Sequence, residues 1–175
     1  MKPVGIVVAC GEGGEIGDGT GLLWDLPTDM RYFMRLTRGH TVVMGRLTYE
    51  TLPPRYRPLP DRTNIVITRN TAYDPGGDTI VTHSLPEAMN AARAADRERI
   101  FIIGGGEIYR QALEADVADT LYLTRVHARF PEATTFFPAI NPDRWHLTAE
   151  EVHGTDDRHR HGFSFRIFKR HTDRS

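Results

Sequence analysis

An acidic residue stands at the head of an apolar helix face. In the segment LLWDLPTDMRYFMRL, Asp29 falls in the first turn of a predicted helix, and its face continues through Phe33 at i+4 and Leu36 at i+7. A carboxylate in that position is costly to bury unless another group pairs with it. Taken alone, the simpler explanation is an acid that complements the helix macrodipole, a role that Asp25 would fill equally well. The residues around Asp29 leave both interpretations open.

Three consecutive glycines form a second candidate site. In IIGGGEIY, Gly104, Gly105 and Gly106 lie between a predicted buried strand and a predicted helix. Glycine lets backbone N–H groups approach a phosphate closely, and a helix N-terminus adds partial positive charge, so the segment favours a dinucleotide. A tight strand–helix turn that needs positive φ explains the glycines about equally well. The sequence contains neither G-x-G-x-x-G nor G-x-x-x-x-G-K-[ST], and lack of the latter argues against a nucleoside triphosphatase.

Basic residues follow two further predicted strands. Gly45 ends the strand TVVMG, Arg46 and Thr48 open the short helix after it, and Arg69 comes just after the strand NIVIT. An arginine beside a helix N-terminus can pair with phosphate. One such arginine is usually a solvated loop charge. Three phosphate-compatible segments at successive strand ends, however, favour a nucleotide site.

Short apolar strands alternate with helical segments, and these elements must position the candidate residues. Strands are predicted at Val4–Cys10, Thr41–Gly45, Asn64–Thr68, Thr79–Thr82, Arg99–Ile103 and Thr120–Val126, with a hairpin formed by Trp145–His153 and Gly162–Lys169. Helices are predicted at Pro27–Arg38, Arg46–Thr51, Pro86–Ala95 and from the triple glycine to about Glu114, and Gly11–Gly21 is a glycine-rich loop. The pattern predicts an α/β domain whose central, mostly parallel twisted sheet is flanked by helices, with the antiparallel hairpin at its edge. Ligands of such sheets bind at the carboxyl ends of the strands.

The composition is that of an ordinary globular protein, with 175 residues, 39% hydrophobic and 26% charged, and a net charge of −1. We expect a single domain over residues 1–175, with 171–175 as a loose tail. The charge balance argues against nucleic acid as the main partner, and no segment reaches the ~18 apolar residues of a membrane span. The single cysteine, Cys10, is expected to be a buried small hydrophobe. A cytoplasmic location is the default expectation.

Histidines flank the tip of the predicted hairpin, at His153, His159 and His161. Two histidines at i and i+2 in a strand could contact one metal ion, but no cysteine or nearby motif completes a ligand set. We therefore expect no metal and a solvated tip in the segment DDRHRHG.

The ordered motifs of the chain resemble those of the dihydrofolate reductase family over nearly its whole length. The matching segments are IG at 16–17, W-x-L-P-x-D at 24–29, Phe33, MGR-x-T at 44–48, RPLP-x-R at 57–62, NI-x-I at 64–67, IGGG-x-x-Y at 103–109, LYLT at 121–124 and FFP at 136–138. They occur in the family's order and close to its spacing. The resemblance implies an oxidoreductase that uses NADPH to reduce 7,8-dihydrofolate to tetrahydrofolate by hydride transfer to pteridine C6, in support of one-carbon metabolism. It also implies a monomer that binds antifolate inhibitors.

The resemblance assigns roles on the substrate side. Asp29 matches the family's only ionisable group in the pteridine pocket and should hydrogen-bond the 2-amino group and adjacent ring nitrogen, with Thr124 sharing the contact. Leu22 and Trp24, at the end of the lid, complete the expected catalytic set. Arg62 matches the arginine that pairs with the glutamate α-carboxylate, and Arg57 assists at the rim. The apolar slot is expected to consist of Met30, Phe33, Leu52, Leu59 and Ile103, and Val7 and Val8 are also expected to bind the substrate.

The resemblance likewise implies where NADPH binds. Gly104–Gly106 should lie against the pyrophosphate, with a cis peptide between Gly104 and Gly105. Arg46, Thr48 and Arg69 should bind phosphates, with Arg46 or Arg69 on the 2′-phosphate that distinguishes NADPH from NADH. The full expected set is Ala9, Ile16, Gly17, Gly45, Arg46, Leu47, Thr48, Thr68, Arg69, Ile103, Gly104, Gly105, Gly106, Glu107, Ile108 and Tyr109.

Two positions depart from the family's pattern, and both concern the lid, defined here as residues 11–24. The family usually has proline before the lid tryptophan, where this chain has Leu23. The segment before FFP often carries an acid that hydrogen-bonds the lid, where this chain has Thr134. We expect a slightly looser lid that closes through Thr134 or Glu132.

Two other functions stay open at this point. A pyrimidine reductase of riboflavin synthesis shares the fold and the glycine motif, but it lacks W-x-L-P-x-D and RPLP-x-R. A non-catalytic pteridine- or nucleotide-binding relative would have lost turnover, and the intact Asp29, Phe33, Arg62 and Thr124 argue against it.

Overall fold

The computed structural model describes residues 2–17 and 22–172. Its strands are β1 (Val4–Cys10), β2 (Glu15–Gly17), β3 (Thr41–Gly45), β4 (Thr63–Ile67), β5 (Ile80–Thr82), β6 (Ile100–Gly104), β7 (Thr120–Val126), β8 (Thr135–Phe136), β9 (Trp145–His153) and β10 (Phe163–Arg170). Its helices are α1 (Pro27–Thr37), α2 (Arg46–Thr51), α3 (Leu85–Ala94) and α4 (Gly106–Glu114), and Pro54–Tyr56 forms a 3-10 turn.

A mostly parallel sheet organises these elements. It has eight strands in the order β5-β4-β3-β6-β1-β7-β10-β9. The first six strands in that order pair in parallel, whereas β10 runs antiparallel to both β7 and β9. This confirms the predicted fold class, including the antiparallel hairpin at one edge. Because β6 lies between β1 and β3, strands from both halves of the chain end side by side.

Helices cover both faces of this sheet, as buried parallel strands require. On one face Met89 of α3 shares an apolar cluster with Val43 of β3. On the other face Phe33 of α1 and Tyr49 of α2 share a cluster with Val42. Since Val42 and Val43 are consecutive in β3, the two clusters follow directly from the alternation of side chains along a strand.

The two longest helices on opposite faces begin differently. At α3, Ser84 Oγ accepts the N–H of Glu87 at 3.2 Å, and the Glu87 carboxylate accepts the N–H of His83 at 3.0 Å, an arrangement close to a capping box. At α1, the N-cap residue Leu26 makes no side-chain cap, and Pro27 occupies the first turn. The remaining first-turn N–H groups of α1 need acceptors from elsewhere in the fold.

Part of the predicted glycine-rich loop is a strand. β2 pairs antiparallel with β8 in a separate two-stranded sheet, and both elements are too short for the sequence pattern to reveal. Residues 18–21 of the predicted loop and 173–175 of the predicted tail lie outside the described residues. The other predicted elements differ from the observed bounds by one residue at most.

Two single-residue predictions have opposite outcomes. Cys10 is fully buried, as predicted, and burial raises the pKa of its thiol to about 11. The prediction of a solvated hairpin tip is wrong at His159, which is only 3% exposed. Within 2–17 and 22–172, no group of three His, Cys, Asp or Glu could hold a metal ion. No helix in these ranges is long and apolar enough to cross a membrane.

Candidate active site

Most of the predicted site residues lie near the carboxyl ends of the parallel strands, whereas Arg62 directly precedes β4 and lies at the amino end of that strand. Met44, near the end of β3, pairs with Gly104 at the end of β6, and Ala9 on β1 pairs with Thr124 on β7. The predicted cofactor residues follow β3, β4 and β6. The predicted substrate residues lie mainly on β1, β7 and α1. A ligand at this edge could therefore contact both sets, as expected for the carboxyl ends of a parallel sheet.

Asp29 faces Thr124 across the edge of the sheet. The Thr124 hydroxyl donates to Asp29 Oδ1 at 2.6 Å, a distance typical of a bond to a charged acceptor. Asp29 is half-buried and Thr124 is buried. Burial raises the pKa of Asp29 above its ordinary value, and the Thr124 hydrogen bond opposes this only in part. Thr124 uses a single acceptor position, so the carboxylate retains the capacity to accept further hydrogen bonds from a ligand.

Partly covered apolar side chains surround this carboxylate. Val7, Phe33, Leu52 and Ile103 belong to one cluster between α1 and the sheet, and each is only partly buried. Met30, next to Asp29, is 52% exposed. A group of incompletely covered apolar side chains around one polar group is typical of a ligand cleft.

Two of the predicted substrate-binding side chains are buried in the core. Leu59 is 3% exposed and packs in the same cluster as Phe33, on the side of the sheet that holds α1. Val8 is also 3% exposed, but it packs in the cluster on the opposite face of the sheet, beneath α3 and α4. Leu59 therefore supports the cleft residues from the core, whereas the side chain of Val8 points away from them.

The guanidinium of Arg62 is buried with unused donors. Arg62 is 8% exposed, and its Nε and Nη1 have no hydrogen-bond partner among the described residues, while Nη2 lies 3.2 Å from Met34 Sδ. Burial, with a smaller effect of nearby Arg38, lowers the pKa of this guanidinium. Burying a cation whose N–H donors have no acceptor costs free energy unless an anion pairs with it. The arrangement is suited to bidentate binding of a carboxylate.

Asn64 holds the loop that carries Arg62, a role that the sequence analysis did not assign. The Asn64 amide oxygen accepts the N–H of Leu59 at 2.9 Å, and its amide nitrogen lies 3.0 Å and 3.2 Å from the carbonyl oxygens of Leu59 and Arg62. It is 3% exposed. The available signal was a polar side chain within the otherwise apolar strand NIVI, because such a residue must find partners when buried.

Gly45, Gly104 and Gly105, here called the glycine cradle, lie so close to neighbouring side chains that a Cβ would be tightly packed. A cis peptide joins Gly104 and Gly105, as the resemblance implied. A Cβ on Gly105 would lie 3.1 Å from Thr48 Oγ1, and one on Gly104, whose φ is +137°, would lie 3.3 Å from it. A Cβ on Gly45 would lie 3.3 Å from Ile108. Bare backbone at the N-termini of α2 and α4 is what close approach of a phosphate requires.

The other predicted cofactor residues lie around this cradle with different exposures. Tyr109 is buried, and its hydroxyl donates to the Val7 carbonyl at 2.6 Å, joining α4 to β1. Thr68 is buried at the end of β4, whereas Leu47 is 70% exposed. Glu107 is exposed and paired with Arg110 on its own helix. Ala9 and Ile16 are half-buried.

The two candidate arginines for phosphate differ in their surroundings. Arg46 forms an ion pair with Glu50 at 3.3 Å, and its guanidinium lies 5.8 Å from the ring centre of Tyr73. Arg69 lies on an exposed loop directly after β4. A partly exposed ion pair contributes little to stability, so Arg46 can exchange Glu50 for a phosphate at small cost.

The lid is joined to the rest of the protein by Glu15, which the sequence analysis missed. Glu15 is 4% exposed, and its Oε2 accepts the N–H of Phe130 at 2.8 Å. The expected contact through Thr134 is present, but it uses the Thr134 backbone N–H, which donates to the Gly17 carbonyl at 2.8 Å. The sequence signal for Glu15 was an acidic residue among several glycines. In the structure the neighbouring glycine leaves space for its carboxylate, because a Cβ on Gly11 would lie 2.6 Å from Glu15 Oε2.

The end of the lid offers one unused donor near the cleft. Trp24 is 9% exposed and packs against Phe130 with ring centres 5.2 Å apart. Its indole Nε1 has no hydrogen-bond partner among the described residues, so it can donate to a water or a ligand. Leu22, two residues earlier, is 57% exposed.

Comparison with known proteins agrees with this geometry. The family model for dihydrofolate reductase matches residues 3–170. The dihydrofolate reductase of Haemophilus influenzae is 36% identical over 165 residues, which cover 94% of this chain and 97% of the relative, and that of Bacillus subtilis is 34% identical over 155 residues, with 89% and 87% covered. Among solved structures, dihydrofolate reductase from Enterococcus faecalis complexed with NADP(H) and RAB-propyl superposes with a TM-score of 0.84 at 32% identity, covering 97% of each chain. The chain belongs to the dihydrofolate reductase family, whose members are NADPH-dependent oxidoreductases.

Proposed function

We propose that this chain reduces 7,8-dihydrofolate to 5,6,7,8-tetrahydrofolate, with Asp29 as the anchor of the pteridine ring. The observation that carries the proposal is the Asp29 carboxylate, which lies half-buried among apolar side chains with Thr124 as its hydroxyl donor. Such a carboxylate is suited to accept paired N–H donors from a flat heterocycle, because its two oxygens lie side by side. In this arrangement it accepts the 2-amino group and the adjacent ring nitrogen.

Arg62 binds the other end of the same substrate. Its Nε and Nη1 are buried without a hydrogen-bond partner among the described residues, and the α-carboxylate of the glutamate moiety supplies the anion that this guanidinium lacks. Between these ends, Phe33, Leu52 and Ile103 contact the ring and the aminobenzoyl group. Arg57, whose Nη1 donates to the Glu50 carbonyl at 3.1 Å, lies at the rim.

The glycine cradle fits the pyrophosphate of NADPH. A Cβ on Gly45, Gly104 or Gly105 would be tight against Thr48 or Ile108. Two helices begin there, so their N–H groups can bind phosphate. When bound, NADPH supplies the hydride that is transferred to pteridine C6. Arg46 and Arg69, next to the cradle, are the candidates for the 2′-phosphate.

Reduction also requires a proton at the ring nitrogen beside C6. If Asp29 binds the far edge of the ring, it cannot reach this nitrogen, so it acts by holding negative charge that favours the protonated ring. Water then delivers the proton. Trp24, with its unused indole N–H, can hold that water at the end of the lid.

The test is consumption of NADPH absorbance when 7,8-dihydrofolate is added to the purified protein. Turnover that depends on both compounds supports the proposal. Binding of NADPH without turnover would favour a non-catalytic relative, and reduction of a pyrimidine substrate of riboflavin synthesis in place of dihydrofolate would favour the same-fold reductase. A cytoplasmic location, a monomeric state, a single domain over residues 1–175 and the absence of a nucleic-acid partner stay predictions from the sequence.

A further inference from the structure

A histidine from the hairpin tip caps the helix that carries Asp29. His159 lies between β9 and β10, is 3% exposed, and places its Nε2 at 3.2 Å from the backbone nitrogen of Thr28 in the first turn of α1. The two residues are 131 positions apart in the sequence. Because Leu26 makes no side-chain cap, His159 satisfies a first-turn N–H for which the helix has no local acceptor.

The contacts of His159 determine which ring nitrogen carries the proton. Thr28 can only donate through its N–H, so Nε2 must accept, and the proton lies on Nδ1, which is 2.8 Å from Asp156 Oδ1. The Asp156 carboxylate also accepts the N–H of Arg158 at 2.8 Å. Phe163 packs against the ring, with centres 5.2 Å apart. The imidazole is thus held by two hydrogen bonds and one aromatic contact.

This cap acts on the residue next to the substrate anchor. Thr28 directly precedes Asp29, and both belong to the first turn of α1, which has no side-chain cap from the N-cap residue. We propose that His159 is a positioning residue: by capping Thr28 it fixes the first turn of α1 and hence the direction in which the Asp29 carboxylate meets the substrate. The proposal rests on the proposed role of Asp29 as the pteridine anchor.

The proposal differs from a purely structural cap in what it predicts. A structural cap would lower the stability of the protein and leave substrate affinity unchanged in the folded molecules. A positioning cap lowers affinity for the ligand that Asp29 binds and leaves affinity for NADPH unchanged, because the glycine cradle lies on other elements. The KM values for the two substrates separate these roles.

The experiment compares two variants of similar size. His159→Leu fills the site without an acceptor, whereas His159→Gln keeps an oxygen near the position of Nε2. We expect His159→Leu to raise the KM for dihydrofolate about fivefold, the factor that corresponds to the loss of a typical helix cap, with an unchanged KM for NADPH. His159→Gln should stay within about twofold of the wild type, on the same grounds. Asp156→Ala, at an exposed position, should shift the KM in the same direction by a smaller factor, and it tests the proposal if His159→Leu does not fold.

Ser84→Ala is the matched control, because it removes the side-chain cap of α3. It should lower stability comparably and leave the dihydrofolate KM unchanged. An equal rise of this KM in Ser84→Ala and His159→Leu would overturn the proposal, as would a wild-type KM in a folded His159→Leu. Hydrogen exchange of the Thr28 amide measures the cap independently of turnover. Faster exchange in His159→Leu with an unchanged KM would confirm that His159 caps the helix but refute its positioning role. Absence of dihydrofolate turnover in the wild type would refute the proposed function itself.

Discussion

Replacing Asp29 by asparagine separates its role in binding from its cost to the fold. The variant keeps the size of the side chain and an oxygen that can accept from Thr124, but it removes the charge and turns one acceptor into a donor. Two hydrogen bonds from the pteridine to a charged group contribute about 1.5–3 kcal/mol each. Their loss corresponds to about 3–6 kcal/mol, or a fall of roughly 10²–10⁴ in kcat/KM for dihydrofolate at pH 7.

The same substitution should stabilise the protein, and the sign follows from the raised pKa of Asp29. A carboxyl whose pKa is higher in the folded state than in the unfolded state stabilises the fold at pH values below its unfolded pKa. This contribution is lost as the pH rises through the folded pKa. Above the folded pKa the ionised Asp29 therefore opposes folding, and Asp29→Asn should stabilise the protein by about 1–3 kcal/mol, the cost of burying an incompletely paired polar group. This gain should shrink as the pH falls through the folded pKa and be lost below the unfolded pKa.

Both effects are measurable on one preparation. NADPH consumption gives kcat and KM between pH 5 and 8, and chemical denaturation at pH 7 and near pH 3 gives the free energy of unfolding. Asp25→Asn is the control, because it makes the same change of charge at an exposed position four residues earlier. Full turnover of dihydrofolate by Asp29→Asn at neutral pH would refute the assignment of Asp29. Loss of activity by Asp25→Asn to the same degree would show that the charge acts at long range rather than as an anchor.

Three further substitutions test the other parts of the site. Arg62→Gln should raise the KM for dihydrofolate roughly tenfold to a hundredfold, the loss of a bidentate charged contact, and leave the KM for a pteridine without a glutamate group unchanged; an equal rise for both would place Arg62 outside the carboxylate site. Gly105→Ala puts a Cβ 3.1 Å from a hydroxyl oxygen and should weaken NADPH binding roughly tenfold by calorimetry, whereas Gly154→Ala, with open space around it, should bind NADPH as the wild type does. Glu15→Ala leaves the buried N–H of Phe130 unsatisfied and should lower the free energy of unfolding by about 1–3 kcal/mol, whereas Glu15→Gln should retain most of the stability. Glu12→Ala, at an exposed position, is the control, and a wild-type melting temperature for Glu15→Ala would contradict the role of Glu15 in holding the lid.

Local patterns were enough to predict the order of elements and the edge of the sheet that holds the site. Apolar runs bounded by glycine and proline define the parallel strands, because these strands are buried on both faces. Once the strands were placed, Gly45, Gly104 and Thr124 had to lie near one edge. Asp29 was identified by its own helix face and by the family's ordered motifs. The helix face of Asp29 depends on residues a few positions apart, whereas the ordered motifs extend from residue 16 to residue 138.

Apart from the local contacts of Asn64 with Leu59 and Arg62, the contacts that local patterns missed join distant segments. Thr124 and Asp29 are 95 positions apart, Phe130 and Glu15 are 115 apart, and Thr28 and His159 are 131 apart. The first depends on where α1 lies relative to β7, the second on the β2–β8 pair and the third on the hairpin, and the composition of the segments specifies none of these. The expectation of a solvated tip was wrong at His159 for the same reason, because one polar side chain of an otherwise exposed segment becomes buried where it meets the N-terminus of α1.

These long-range bonds have a common consequence for the site. Asp29 is held from β7 through Thr124 and, by the proposed cap, from the hairpin tip through His159. Burial disfavours the charged form of Asp29 and thereby raises its pKa, so contacts elsewhere in the fold must offset the cost of placing the carboxylate there. The two supports come from distant strands. Neither the hairpin nor the core beneath α3 touches the ligand. For the same loss of stability, substitutions that loosen the hairpin should therefore weaken substrate binding more than substitutions beneath α3 do.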